Sequence, residues 1–135
     1  MSRAGYTEDG EDNWGLICWR GQVASAIRGK RGQAFLRDLV AALDAMPEKA
    51  LIAEELEDGD GNVCSLGAVG RLRGVDMRRI DPYDYDEVAG AFDIAEPLAR
   101  EIEYENDEGT WQWQKETPEQ RWKRMRAWAA SKIKD

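Results

Sequence analysis

No histidine occurs among the 135 residues, so the commonest general base, the usual nucleophile triads and most zinc sites are absent. Carboxylates are the remaining acid–base groups. Glu101 and Glu105 stand at helical spacing and could in principle work as an acid–base pair, but 27 acidic residues make such pairs commonplace. Cys18 and Cys64 have no histidine to activate them, and each sits in an apolar stretch typical of a buried, inert thiol. The run Asp58-Gly59-Asp60-Gly61-Asn62 begins like a calcium loop. The glycine and glutamate required at its sixth and twelfth positions are replaced by Val63 and Val69, so it reads as a tight turn. No nucleotide fingerprint is present. The expectation is a protein without enzymatic activity, metal or cofactor.

Binding chemistry is better represented. Net charge is −8, but the charge is laid out in blocks. Residues 1–13 carry −3, 14–40 carry +4, 41–65 carry −6, 66–80 carry +3, 81–109 carry −10 and 110–135 carry +4. Opposite blocks can neutralise each other across the fold, which is the ordinary behaviour of surface charge. The alternative is that 81–109 forms one acidic face that attracts a basic protein surface. Its second half supplies Glu101, Glu103, Glu105, Asp107 and Glu108, followed at once by Trp111 and Trp113. Carboxylates would steer an encounter, and the indoles would anchor it. Two basic segments offer a second possibility. Arg28, Lys30 and Arg31 lie at a helix junction, the last two between Gly29 and Gly32, and Arg71, Arg73, Arg78 and Arg79 flank another; both could contact phosphate.

The elements that must position these residues are mainly helical. Trp14, Ile17, Ala24 and Ile27 recur at helical spacing from about residue 13, and Gly29 and Gly32 then bracket a short basic break. A helix over 33–45 carries Phe35, Leu36, Leu39, Val40 and Leu43 on one face and stops at Met46-Pro47. The 58–62 turn between two apolar runs predicts a β-hairpin, after which Ser65 caps a helix ended by Gly74. Asp81-Pro82 opens another helix, and Asp93 with Glu96 forms a capping box for the next. Residues 84–106 thus have the outline of a helix-turn-helix, but the second helix offers one cation and many anions to DNA. Thr117, Pro118 and Gln120 give the clearest start signal, for a helix with Trp122, Met125, Ala129 and Ile133 on one stripe.

The fold expected is therefore mainly α, about five or six short helices with one small β-hairpin. It forms a single compact domain over 13–135 behind a flexible acidic arm at 1–12. No apolar leader or membrane-spanning run is present, which leads us to expect a cytoplasmic protein.

Four segments carry a resemblance. Ala-Ile-Arg-Gly-Lys-Arg-Gly-Gln-Ala-Phe-Leu-Arg-Asp-Leu (26–39), Cys-Ser-Leu-Gly-Ala-Val-Gly-Arg (64–71), Tyr-Glu-Asn-Asp-Glu (104–108) and Glu-Thr-Pro-Glu-Gln-Arg-Trp (116–122) resemble a group of small uncharacterised accessory proteins of bacteriophages and prophages. The resemblance implies a setting, the cytoplasm of a bacterial host, and supplies no site residues. It implies a partner among host or phage macromolecules. The first choice is a protein with a basic surface, such as a host-defence or nucleic-acid-handling protein; the second is nucleic acid itself.

Overall fold

The structure is a computed structural model and describes residues 13–109 and 115–134, with side chains from Gly15 onward. The arm at 1–12 and Trp111 and Trp113 fall outside those residues. Six α-helices are present among them: α1 Asn13–Arg28, α2 Lys30–Ala45, α3 Ser65–Arg73, α4 Tyr85–Phe92, α5 Glu96–Glu108 and α6 Pro118–Lys132. A single 3-10 turn, Met77–Arg79, follows α3.

The centre is α2. Phe35, Leu36, Leu39, Ala42 and Leu43 follow the helical repeat and are buried against α3 and α6. Val88, Ala89 and Phe92 of α4 and Leu98, Ala99 and Ile102 of α5 complete one contiguous core, in which Phe92 meets Phe35 edge-on at 6.2 Å between centroids. The α6 start is formed as its residues dictate: the Thr117 hydroxyl accepts from the Gln120 N–H, and the Gln120 side chain accepts from the Thr117 N–H. Met125 and Ala129 are buried on its stripe, with Trp122 and Ile133 partly so.

No strand forms among the described residues, which corrects the expected β-hairpin. The turn itself is there. Asp58 Oδ1 accepts from the N–H groups of Asp60 and Asn62, both at 2.9 Å, and Gly61 takes the positive φ of 83° that closes it. Only the Glu57–Val63 bridge follows, because neither arm has length. Glu54 at φ 71° ends the extended conformation on one side, and Cys64 already caps α3 on the other.

Several helix boundaries also shift. Lys30, Arg31 and Gly32 belong to α2, leaving Gly29 alone between α1 and α2. Gly32 permits this, since a Cβ there would lie 1.9 Å from the Ala26 carbonyl oxygen. Cys64, not Ser65, is the N-cap of α3. Asp81 makes a turn by accepting from the Tyr83 N–H, and Asp84 is the cap that starts α4. Asp93, at φ 52°, ends α4 rather than starting α5, a left-handed position that Asp tolerates better than most residues.

Gly67 in α3 shows how closely these elements approach. A Cβ there would come within 2.0 Å of the Leu56 carbonyl oxygen and 2.9 Å of the Val63 Cβ. Alanine is favoured over glycine inside a helix by about 1 kcal/mol. Overpacking against backbone costs about 3 kcal/mol, so steric conflict wins and Gly67→Ala is expected to be destabilising by ~2 kcal/mol. Thermal unfolding followed by circular dichroism tests this; a variant as stable as the parent would contradict it.

Candidate functional site

The acidic block 81–109 divides into two parts with opposite placements. Its second half lies on α5, whose Leu98, Ala99 and Ile102 face the core. Glu101 and Glu103 are only 4% and 1% exposed. Arg20 of α1 reaches both oxygens of Glu101 with its two terminal nitrogens, each at 2.8 Å. Glu105 is half-buried one turn on, its carboxyl pushed up by burial and by the charge of Glu101, against the pull of Arg124, Arg20 and Lys132. Burial, with Glu108, Glu105 and Glu101 nearby, likewise raises the Tyr104 hydroxyl. Asp107 accepts from the Glu54 N–H at 3.1 Å and from the Asn106 side chain at 2.9 Å. Of the expected acidic face, Glu101 and Glu103 point inward and Glu105 is half covered; Asp107 and Glu108 retain partial exposure.

The C-terminal end of α5 is held by two arginines of α6. Arg121 donates to the carbonyls of Asn106 and Leu51, and Arg124 to those of Glu105 and Asn106. Arg124 also grips Glu116 through two bonds of 2.6 and 2.9 Å, which holds that carboxyl below the usual glutamate range. α5 is packed among α1, α3, α4 and α6, so the α4–α5 pair does not present a free reading helix.

The first half of the block behaves differently. Asp81, Asp84, Asp86 and Glu87 are all exposed, and Tyr83 among them is 61% exposed. Among the described residues, no lysine or arginine nitrogen lies within 4.0 Å of these four carboxylates. Glu96 closes the patch, its carboxyl raised by burial, by a hydrogen bond with Asp86, and by the charges of Asp86 and Asp84. Arg100 stands behind it, 4.6 Å from each of the Trp19 and Tyr85 ring centroids and 3.9 Å from Glu96. The signal was present in the run Asp81-Pro82-Tyr83-Asp84-Tyr85-Asp86-Glu87, where aromatic and acidic residues alternate. A helix start accounts for only part of that pattern.

The basic residues are dispersed. Arg71 pairs with Glu57 at 3.0 Å and donates to the Gly61 carbonyl. Arg73 grips Asp38 at 2.7 and 3.0 Å and donates to the Phe92 carbonyl at 2.8 Å. Arg78 and Arg79 share Asp76, at 3.3 and 3.4 Å. Arg28 is exposed at the end of α1, and Arg31 lies 3.4 Å from Asp93. Lys30 and Arg31 line a groove of about 490 Å³ between the α1–α2 junction and Pro97, beside an α2 start whose cap, Gly29, has no side chain to offer. Arg71 and Arg78 line a different groove, of about 860 Å³, shared with Glu57, Asp58 and Asp76.

Cys64 is buried, but Cys18 is exposed on α1, which corrects its expected burial: its apolar neighbours Leu16 and Ile17 face outward too. Among the described residues no group of three or more histidine, cysteine, aspartate or glutamate side chains is arranged to hold a metal ion. Among the same residues no helix is long and apolar enough to cross a membrane. The fold and site define a mainly helical chain with an exposed acidic–aromatic patch. Compared with known proteins, it matches no family model, no curated protein and no solved structure.

Proposed function

We propose that this chain is a non-enzymatic binding protein whose acidic surface docks on a basic surface of another protein. The observation that supports it is Tyr83, an exposed ring amid Asp81, Asp84, Asp86 and Glu87, none of which has a cationic partner among the described residues. Unpaired carboxylates accelerate encounter over several ångströms, and an aromatic ring at their centre supplies apolar area once contact is made. The resemblance of four sequence segments to phage accessory proteins is what supports looking for that partner among host or phage macromolecules, with host-defence and nucleic-acid-handling proteins as the first candidates.

Capture from bacterial lysate, compared between the parent and Tyr83→Ala/Asp86→Lys/Glu87→Lys, tests the reading; Asp84 is left in place because it caps α4. The parent should retain a protein that the variant loses. The purified pair should associate about tenfold more slowly at high than at low salt. A partner held equally by parent and variant would transfer the interface elsewhere.

One observation favours a second reading, phosphate contact by nucleic acid in the groove lined by Lys30 and Arg31. A gel shift at low salt should then respond to Lys30→Ala/Arg31→Ala, and the absence of any shift removes it.

A further inference from the structure

We propose that the outer face of α1 is a self-association surface. It receives α1 of a second copy of this chain, running antiparallel across Gly21. The proposal does not depend on the Tyr83 surface.

The first observation is the chemistry of that face. Ile17, Cys18, Gly21, Gln22 and Ser25 recur at helical spacing and are all exposed. None is charged, in a chain where 34% of residues are. A helix face turned to solvent ordinarily carries charge. Ile17 is instead 63% exposed and its neighbour Leu16 55%, which puts two of the four large exposed hydrophobic side chains among the described residues side by side. Such a concentration marks a contact surface.

The second observation is Gly21 itself. Glycine weakens a helix interior relative to alanine. Elsewhere the reason for one is visible: a Cβ at Gly32 or Gly67 would lie 1.9 or 2.0 Å from a backbone oxygen, and one at Gly70 would lie 2.8 Å from the Met77 sulfur. Gly90 stands in open space, but in the last turn of α4, where the helix is ending. Gly21 is at the middle of the 16-residue α1, and a Cβ there would meet nothing within 4 Å among the described residues. Packing within the chain gives this glycine no use. A second helix crossing at Gly21 does, because the missing side chain lets two backbones approach closely.

Charge selects the occupant and its direction. At a net −8, two copies repel each other over most of their surfaces, whereas α1 contains no acidic residue. Its cations are Arg20, paired with Glu101, and Arg28 at its last position, after which Lys30 and Arg31 follow. In the sequence, Glu8, Asp9, Glu11 and Asp12 precede it. Antiparallel pairing brings the basic end of each α1 to the start of the other, beside those acidic residues, and aligns the two helix dipoles favourably. Parallel pairing would set like charges together at both ends.

Sedimentation velocity of the full chain over a concentration series tests this. The parent should dimerise with a dissociation constant on the order of 10 μM, as suits a contact smaller than a standard interface. Gly21→Arg and Ile17→Glu should each weaken the dimer at least about tenfold. Circular dichroism of both variants should match the parent, since both positions face outward. Oxidation reads the orientation. With the helices crossing at Gly21, Ser25 of one copy lies beside Cys18 of the other, so Ser25→Cys should form a covalent dimer and the parent should not. A parent that stays monomeric at about 500 μM, or a dimer that both variants leave intact, would overturn the proposal. Cys18 linked to Cys18 in the parent would refute the antiparallel arrangement.

Discussion

Replacement of Arg124 by alanine is expected to destabilise the protein by about 3 kcal/mol, lowering the melting temperature by about 10 °C. Three things are lost together. Glu116, 7% exposed at its side chain, loses both bonds of its main partner, and Arg121 at 3.4 Å compensates in part. The carbonyls of Glu105 and Asn106 each lose a donor, and among the described residues that of Asn106 keeps Arg121. One of the two positive charges at the C-terminus of α5 also disappears. Gly109 leaves room for this clamp, since a Cβ there would lie 2.3 Å from an Arg124 terminal nitrogen. Acidity supplies a check with a definite sign. The Glu116 carboxyl is held low by its hydrogen bond to Arg124 and by the charges of Arg124 and Arg121, so it stabilises the fold above the ordinary glutamate range. That contribution is lost as pH falls through the lowered value. The gap between parent and variant should therefore be widest near neutrality and narrow below about pH 4 in urea unfolding. A gap independent of pH would mean that Glu116 is not the origin of the effect. Lysine at the same position keeps the charge but cannot make both bonds, and should fall between the two.

Whether such features were readable from the residues depended on how far away their causes lie. The α2 face and the α6 cap are written in neighbouring residues, and both formed as expected. Asp93 and Asp84 show the limit of local signals, because an aspartate serves equally at a helix start and at a left-handed stop. The interior placement of Glu101 has no local signal at all. At helical spacing from Glu105 it looks like part of a solvated face, and the arginine that turns it inward lies 81 residues away. Charge blocks fared similarly. Arg20 with Glu101, Arg71 with Glu57 and Arg126 with Asp44 join basic segments to acidic ones, the neutralisation that net charge by segment allows. Within 81–109, Asp81, Asp84, Asp86 and Glu87 are exposed without a cationic partner among the described residues, whereas Glu101 and Glu103 are buried. The distinction required coordinates, since both halves carry the same kind of residue.

Asn106→Asp changes almost no volume and is expected to cost about 4 kcal/mol near neutral pH. Asn106 is 1% exposed, and every hydrogen-bonding position of its amide is engaged. Its oxygen accepts from the Ser65 N–H at 3.0 Å and the Ser65 hydroxyl at 2.8 Å. Its nitrogen donates to the Ile52 carbonyl and to Asp107, both at 2.9 Å. One side chain thus ties α5 to the first residue of α3 and to the irregular segment after α2, and with the Leu51 N–H on the Pro118 carbonyl and the Ile52 N–H on the Val63 carbonyl it holds the 50–64 stretch without strands. A carboxylate there would keep the two bonds from Ser65 but set an anion against the Ile52 carbonyl and the Asp107 carboxylate. Burial and those two acceptors must raise the new carboxyl above its unfolded value, so the variant should regain stability as pH falls through that raised value. The protonated acid can donate to Ile52 as the amide did. Asn106→Leu removes all four bonds without adding a charge. It should cost about 3 kcal/mol with no comparable recovery in acid, because the Ser65 N–H and the Ile52 carbonyl stay without the amide at any pH. Parallel pH profiles for the two variants would place the cost in lost packing; recovery by the aspartate variant alone assigns it to the buried charge.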